Sequence, residues 1–236
     1  MALYGGTFDP VHAGHLAVAR NLAELFALDE VLFVPAHVAP HKRHVNVSPA
    51  LDRYAMLALA TQDEPAFRVS SVELDAPERP YTVETVAHFK ERFGASSRLF
   101  FVMGADSWAE IKSWREWERL LSMAEHLVVT RPGYEISDAH VTEEIRARVV
   151  DVRGREESEV ALSLEDNSGA TRIYLTDAAS VRVSSTEIRR ALAGDGDGAA
   201  NLGALLPPPV AAYIEKYRLY RDTHERELTD TTHAEH

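Results

Sequence analysis

The residues whose types and spacing best suit ligand binding and catalysis lie in one stretch near the start of the chain. Residues 5–15 run Gly-Gly-Thr-Phe-Asp-Pro-Val-His-Ala-Gly-His. Glycines such as Gly5 and Gly6 let a backbone approach a ligand closely. The stretch ends where a helical pattern begins, and free N–H groups at a helix N-terminus form an anion site. Because His12 and His15 are three residues apart, both imidazoles can face one crevice. There they can donate hydrogen bonds to phosphate oxygens, and the charge of a triphosphate would favour their protonated forms.

Two other interpretations of this stretch stay open from the residues alone. It can be a glycine-rich turn that carries two surface histidines. It can also hold a metal ion through His12 and His15, but such a site needs a third ligand. The chain contains no cysteine, and the sequence identifies no other residue for that position.

A second candidate anion site lies near the C-terminal end. Ser184, Ser185 and Thr186 are typical N-cap residues, and their hydroxyls and the N–H groups behind them can hold phosphate oxygens. Arg189 follows one turn later and brings a planar fork of donors to the same anion. The alternative is a simple capping box closed by Glu187. Together with the glycine-histidine stretch, the pattern favours a phosphate site.

Weaker candidates lie in the middle of the chain. Asp106 follows a buried apolar run, where it is placed to accept hydrogen bonds from ribose hydroxyls or to cap a helix. A basic island at residues 37–44 stands in an otherwise acidic chain and by default is a solvated loop. One or two of the three tryptophans are expected in the core: Trp108, Trp114 and Trp117.

Short β-rich runs alternate with longer helical ones, which predicts an α/β fold with a mostly parallel sheet flanked by helices. Strands are predicted at residues 2–4, 31–34, 67–72, 99–103, 126–130 and 172–175. Helices are predicted at residues 16–28, 49–59, 83–93, 185–192 and 207–217. A helix is also compatible with residues 141–150. Residues 153–170 are charged and turn-rich, with a turn tip at 166–169. A flexible loop is predicted at residues 194–198.

Composition restricts the classes of partner. The chain has 236 residues, with 25 Lys and Arg against 37 Asp and Glu, hence a formal net charge of −12. This balance argues against non-specific attraction to nucleic acid or to an anionic membrane. No apolar run approaches a membrane span and the first residues form no signal peptide, so a cytoplasmic protein is expected. The pattern predicts one domain over residues 1–220 and a disordered tail over 221–236.

The stretch at residues 5–15 resembles the HxGH signature of the nucleotidyltransferase superfamily, and more narrowly the GGTFDPxHxGH start of bacterial nicotinate-nucleotide adenylyltransferases. Four further segments are similar to motifs of that family, in the same order. They are Pro-x-x-x-x-Pro-His-Lys at 35–42, Tyr-Thr-Val-Glu-Thr at 81–85, Gly-Ala-Asp at 104–106 with a tryptophan at 114, and Val-Ser-Ser-Thr-Glu-Ile-Arg at 183–189. In the last, Val183 stands where the family has isoleucine.

The resemblance implies a Rossmann-like nucleotidyltransferase fold that transfers AMP from ATP to nicotinate mononucleotide, giving deamido-NAD and pyrophosphate, with Mg²⁺ carried by ATP. It implies catalytic roles for His12, His15 and Arg189. It implies that ATP is bound by Gly5, Gly6, Thr7, Phe8, His15, Gly104, Asp106, Ser184, Ser185, Thr186 and Arg189. It implies that the mononucleotide is bound by Lys42, Thr82, Trp114, Arg115 and Arg131. No nucleic-acid or membrane partner is expected, and the sequence leaves a homo-oligomer open.

Three alternatives remain at this point. A sister adenylyltransferase acting on nicotinamide mononucleotide or a phosphopantetheine would share the histidine stretch, and the Tyr-Thr motif with Trp114 argues against it. A class I tRNA synthetase also uses HxGH chemistry, but the chain is short and acidic for one and has no KMSKS-like loop. A non-catalytic nucleotide sensor on the same fold is disfavoured because His12, His15 and Arg189 are all present.

Overall fold

The computed structural model describes residues 1–37, 47–94, 97–130, 136–165, 170–179, 183–194 and 202–221. Its centre is a seven-stranded sheet in the order β3-β2-β1-β4-β5-β7-β6, in which every strand pairing is parallel. The strands are β1 (Ala2–Gly6), β2 (Val31–Pro35), β3 (Phe67–Val69), β4 (Phe100–Gly104), β5 (Glu125–Val129), β6 (Val149–Asp151) and β7 (Ile173–Thr176). The α/β class and the parallel sheet predicted from the sequence are confirmed.

Helices cover both faces of this sheet. They are α1 (Ala13–Leu25), α2 (Ala50–Thr61), α3 (Thr82–Phe93), α4 (Ala105–Ala109), α5 (Trp117–Met123), α6 (Glu143–Arg146), α7 (Glu157–Leu164), α8 (Ser185–Leu192), α9 (Leu202–Leu205) and α10 (Pro208–Lys216), with a 3₁₀ turn at Ile111–Ser113. None of the helices in the described segments is long and apolar enough to cross a membrane.

Successive strand residues point to opposite faces, so the sheet separates two apolar cores. Ala2 and Phe100 lie in the core beneath α1, α2 and α10, whereas Leu3 and Phe101 lie in the core beneath α3 and α5. Covering on both faces explains why the central strands are almost continuously apolar, as in the fully buried β2.

The strand order places a crevice where a ligand can bind. β1 pairs with β2 on one side, through Leu3 and Leu32, and with β4 on the other, through Leu3 and Phe101. The order of strands along the chain reverses at this point, and open α/β sheets bind ligands beyond the carboxyl ends of the strands there. The glycine-histidine stretch directly follows β1, so the fold positions it over this crevice.

The middle of the chain differs from the sequence prediction. The helix considered for residues 141–150 is wrong, because the short helix α6 ends at Arg146 and Val149 begins strand β6, whose β-branched residues pair with β7. The turn-rich interpretation of residues 153–170 missed α7, which buries only Val160 and so gives little apolar periodicity. The strand predicted at residues 67–72 ends at Val69. The turn tip at 166–169, most of the 194–198 loop and all but the first residue of the 221–236 tail lie outside the described residues, and the domain division stays a prediction.

Candidate active site

The loop between β1 and α1 is packed tightly around one aromatic ring. Phe8 has a left-handed backbone with φ of 51° and is 2% exposed. Its ring centroid lies 5.5 Å from that of Tyr4, 5.7 Å from that of Phe33 and 5.0 Å from that of His15. A Cβ at Gly6 would lie 3.0 Å from the Phe8 ring, so glycine is needed there for close packing.

The two histidines of the loop are brought together as the spacing predicts. His12 is the N-cap of α1 and His15 its third residue, and the rings stack with centroids 3.7 Å apart. The backbone N–H of His12 donates to Nδ1 of His15 over 3.3 Å. Because Nδ1 accepts this bond, the neutral His15 ring carries its proton on Nε2. That N–H is then the donor His15 can offer to a ligand.

Both histidines line a cavity of about 360 Å³, hereafter the first cavity, with Gly14, Met103, Gly104, Asp106, Val183, Ser184 and Ser185 among its other walls. Burial, and then the charge of His12, lowers the pKa of His15 well below its ordinary value of 6.5. His15 is therefore neutral at neutral pH. A triphosphate placed in the first cavity would act in the opposite direction and favour the protonated ring.

The start of α8 forms a further wall of the first cavity, against the β1–α1 loop. Ser184 caps the helix: its Oγ accepts the Glu187 N–H over 3.2 Å, and the Glu187 carboxylate accepts the Ser184 N–H over 3.0 Å. The Ser185 hydroxyl donates to the carbonyl of Pro10 over 3.0 Å, which ties α8 to the β1–α1 loop. The capping box considered as the alternative for this segment is thus present, and Ser184 and Ser185 line the first cavity as well.

Arg189 and Thr186 do not line the first cavity. Arg189 Nη1 donates to the backbone carbonyl of Asp9 over 2.6 Å, and Nη2 donates to the Thr186 hydroxyl over 3.3 Å. Arg189 therefore holds the β1–α1 loop through the Asp9 carbonyl. Its contact with phosphate, and that of Thr186, stays a prediction.

A second cavity of about 700 Å³ lies on the other side of the β1 and β4 ends. It is lined by three of the predicted mononucleotide residues, Thr82, Trp114 and Arg115. The half-buried Trp114 packs edge-on to Phe101 with ring centroids 6.3 Å apart, and the Arg115 guanidinium lies 4.5 Å from the centre of the exposed Tyr81 ring. Thr82 is the first residue of α3, so the free N–H groups at the N-terminus of that helix lie at this cavity. Lys42 and Arg131 lie outside the described residues.

The two cavities meet at the end of β4. Gly104 lines both of them, and Gly5, Gly6 and Thr7 of the loop line the second cavity, while His12 and His15 line the first. Asp106 is exposed at the start of α4 on the side of the first cavity. Of the tryptophans, Trp108 is completely buried, which confirms that one belongs to the core.

Sequence analysis missed two charged residues of the second cavity, Glu73 and Arg79. The Glu73 carboxylate accepts the hydroxyl of Thr85 over 2.8 Å and the backbone N–H of His37 over 3.3 Å. Burial raises the pKa of Glu73. Both residues lie in an irregular segment between β3 and α3, and no spacing rule singles out a residue in such a segment. Their position just before the Tyr-Thr motif was the one available signal.

Metal binding by the protein itself was the other alternative for the histidine pair. In the segments that the structure describes, no group of three His, Asp or Glu side chains is arranged to hold a metal ion. Asp106 brings a single carboxylate to the first cavity.

Comparison with known proteins defines the class. The sequence model of the cytidylyltransferase-like family matches residues 3–191. A nicotinic acid mononucleotide adenylyltransferase of Plasmodium falciparum, solved with APC and with NaAD, superimposes with a TM-score of 0.67 at 19% identity and covers 93% of this chain and 96% of that chain. This likeness shows the fold. Fold, family model and site together make the chain a nucleotidyltransferase of the cytidylyltransferase-like class.

Closer relatives define the family. A probable nicotinate-nucleotide adenylyltransferase of Salinispora arenicola is 37% identical over 92% of this chain and 99% of its own length. That of Solibacter usitatus is 38% identical over 93% of this chain and 98% of its own length. The chain therefore belongs to the nicotinate-nucleotide adenylyltransferase family. The family and the enzyme class predicted from the motifs are confirmed.

Proposed function

We propose that the protein transfers the AMP group of ATP to the phosphate of nicotinate mononucleotide, releasing pyrophosphate and forming deamido-NAD. The observation that carries this proposal is the pair of cavities that share Gly104, with the glycine-histidine loop between them. Two ligands bound on either side of the β1 and β4 ends would present their phosphates to each other at this loop.

The reaction needs no covalent enzyme intermediate. An oxygen of the mononucleotide phosphate, already ionised at neutral pH, forms a bond to the α-phosphorus of ATP. The bond from that phosphorus to the oxygen bridging to the β-phosphate breaks, and its electron pair leaves with pyrophosphate. The enzyme then has two tasks, which are to align the two phosphates and to stabilise charge that develops on the leaving group.

The residues of the first cavity suit the second task. We assign to His15 the donation of its Nε2 proton to a phosphate oxygen, with His12 stacked beside it. The Ser184 hydroxyl and the backbone N–H groups at the start of α8, including that of Ser185, supply further neutral donors. Arg189 would add its charge once the nucleotide is bound.

Mg²⁺ enters as part of the ATP substrate. This ion keeps several waters and is usually held by substrate phosphates with one or two carboxylates. The donor set of the first cavity fits that pattern, since Asp106 brings one carboxylate to it. Asp106 is also placed to accept hydrogen bonds from the ribose hydroxyls, the role that the sequence predicts for it.

The residues of the second cavity suit the mononucleotide. Trp114 offers an aromatic face for the pyridine ring, and the N–H groups at the start of α3, near Thr82 and Arg115, favour an anionic carboxylate over a neutral amide. An amide would also turn its NH₂ toward donors, a mismatch that costs about 1–3 kcal/mol. We assign the mononucleotide phosphate to Lys42 and Arg131.

A pyrophosphate-release assay tests the proposal. The assay uses ATP-Mg²⁺ with each of three acceptors: nicotinate mononucleotide, nicotinamide mononucleotide and phosphopantetheine. We expect kcat/KM for the nicotinate compound to exceed that for the amide by roughly 10²–10⁴, since about 1.4 kcal/mol is tenfold. A ratio below ten would contradict the selectivity and leave adenylyl transfer standing. No release with any acceptor would favour the nucleotide sensor.

The cellular location and the partners of the enzyme are part of the same proposal. We place it in the cytoplasm, with its two small substrates as partners and without a nucleic-acid or membrane partner. A homo-oligomer is compatible with this proposal, and sedimentation of the purified protein would determine the state.

A further inference from the structure

We propose that Tyr220 is a positioning residue for this reaction: through Asp9 it holds the β1–α1 loop in the conformation that presents His15 to the nucleotide. The inference rests on the proposed function for its kinetic consequence. Tyr220 lies near the opposite end of the chain, beyond α10, and the sequence assigns no role to it.

Asp9 is the centre of the arrangement. It is 2% exposed, and a buried carboxylate requires donors to offset its lost hydration. Its Oδ1 accepts the Tyr220 hydroxyl over 2.6 Å, and its Oδ2 accepts the Ser48 N–H over 3.2 Å. Its backbone carbonyl accepts Nη1 of Arg189 over 2.6 Å. Three separate segments of the chain therefore converge on one residue of the loop.

Arg53 of α2 secures the loop from the other side. It is 1% exposed, and its Nη1 donates to the carbonyl of Thr7 over 2.8 Å, while its Nε donates to the carbonyl of Ser48 over 3.1 Å. Burial lowers the pKa of Arg53, and the charge of Asp9 opposes that shift. The residues before and after Phe8 are thus both fixed by arginines.

Phe8 connects this arrangement to the catalytic histidine. Its left-handed backbone is unfavourable for an aromatic residue and persists only where the surroundings hold it. Its ring packs edge-on to His15, at 5.0 Å between centroids. A loop released at Asp9 would let Phe8 relax, and the ring of His15 would lose the contact that orients it.

Tyr213 gives α10 an anchor on α2 that does not involve the β1–α1 loop. Tyr213 lies in α10 and donates its hydroxyl to Asp52 of α2 over 2.8 Å. The two tyrosines therefore make the same kind of bond to an aspartate, but Asp52 is on a helix and Asp9 is in the loop. Tyr213→Phe is consequently a matched control for Tyr220→Phe.

The first experiment compares these two variants in the full-length protein. We expect Tyr220→Phe to lower kcat about tenfold, less than the roughly 10²-fold that a small misplacement of reacting groups can cost. KM for ATP should change less than threefold, because the bond removed contacts no substrate. Tyr213→Phe should keep its kcat, and the two variants should lose similar amounts of thermal stability. Wild-type kcat in Tyr220→Phe would overturn the proposal, as would an equal fall in kcat in both variants.

A second measurement does not depend on turnover. The ring ¹H–¹⁵N signals of His15 should shift in Tyr220→Phe and stay in place in Tyr213→Phe. If the wild-type protein releases no pyrophosphate, the proposed function fails while this comparison still decides whether Tyr220 positions His15. Unchanged His15 signals in Tyr220→Phe would contradict the proposal.

A double-mutant cycle tests the route through Asp9. Asp9→Asn keeps an oxygen for Tyr220 but turns an NH₂ toward the Ser48 N–H. If Tyr220 acts through Asp9, the kcat losses of Asp9→Asn and Tyr220→Phe should be clearly less than multiplicative when combined. Fully multiplicative losses would show that Tyr220 does not act through Asp9. Should Asp9→Asn not fold, the kinetic and spectroscopic comparison with Tyr213→Phe decides the question.

Discussion

The two cavities on either side of β1 and β4 are built in different ways. The first cavity rests on groups that are already hydrogen-bonded, among them His15, whose Nδ1 accepts the His12 N–H, and the loop residue Asp9 at 2% exposure. The second cavity has more exposed side chains among its walls, such as Tyr81 at 50% exposure and the exposed Arg115, although its Glu73 is also hydrogen-bonded. The donors of the first half of the site are thus held in place before a ligand binds, whereas the second half presents several exposed side chains.

The chemistry of the two substrates accounts for the difference. Charge develops on a triphosphate in every turnover, and donors held in place before binding stabilise it without reorganisation. Recognition of the pyridine ring depends on stacking and on a few donors, which can be completed when the ligand arrives. We therefore expect changes in the first cavity to act on kcat and changes in the second to act on KM for the mononucleotide.

The largest effect is expected for His15→Ala. Removing one preorganised donor lowers turnover by roughly 10²–10³-fold. The fold should survive, because the rings of Tyr4 and Phe33 still pack on Phe8 when the His15 ring is removed. The measurement is kcat for pyrophosphate release together with a thermal melt. His88→Ala, which removes an exposed histidine of α3, is the control, and a folded His15→Ala protein with wild-type turnover would exclude His15 from the mechanism.

Gly14 and Gly104 form the next comparison. A Cβ at Gly14 would lie 2.7 Å from Cγ1 of Val183 and 3.1 Å from the His12 ring, whereas a Cβ at Gly104 would meet nothing within 4 Å. Overpacking of this kind costs about 1–3 kcal/mol, against about 1 kcal/mol gained from alanine in a helix. We expect Gly14→Ala to displace the His12 ring and lower kcat about tenfold, a loss of about 1.4 kcal/mol in transition-state stabilisation.

The stability of Gly104→Ala should stay within about 0.5 kcal/mol of wild type, as for other surface substitutions. Denaturant unfolding of both glycine variants checks the contrast. Equal destabilisation of Gly14→Ala and Gly104→Ala would show that the first cavity is no more tightly built than the rim it shares with the second.

Trp114→Ala tests the second cavity. Loss of an aromatic stacking partner costs about 0.5–1.5 kcal/mol beyond the lost buried area, so we expect KM for nicotinate mononucleotide to rise about tenfold. KM for ATP should not change, because Trp114 does not line the first cavity. Trp117→Ala removes a partly buried tryptophan that lines neither cavity and serves as the control. A rise in KM for ATP would mean that the two halves are not independent.

Local patterns account for the parts of the site that could be predicted from sequence. His12 and His15 are neighbours through helix geometry, and Ser184 and Ser185 lie at a cap, so spacing alone brings them to a cavity wall. The same reasoning predicts strands from continuous apolar runs such as β2. It does not predict strand order, because pairings such as that of Leu3 with Phe101 join distant residues.

Long-range contacts explain what sequence analysis missed. Tyr220 meets Asp9 across 211 positions of chain, and Arg53 meets Thr7 across 46. No periodicity or cap connects such residues. The sequence predicts that Arg189 contacts phosphate, whereas in the structure its Nη1 donates to the Asp9 carbonyl. Its proposed phosphate contact requires the ligand.

The smallest effect is expected for removal of residues 221–236. Leu228 is the one large apolar residue in that stretch, so the stretch offers little burial to offset the entropy of ordering it. Just before that stretch, the Leu219 N–H donates to the Ile214 carbonyl and the Tyr220 hydroxyl donates to Asp9. Truncation after Tyr220 should therefore leave both the melting temperature and kcat within error of wild type. Truncation one residue earlier also removes the Tyr220 side chain, and kcat should then fall as in Tyr220→Phe. A melting temperature several degrees lower after the first truncation would show that the tail docks on the domain. Equal kcat for the two truncations would show that Tyr220 does not act on the first cavity.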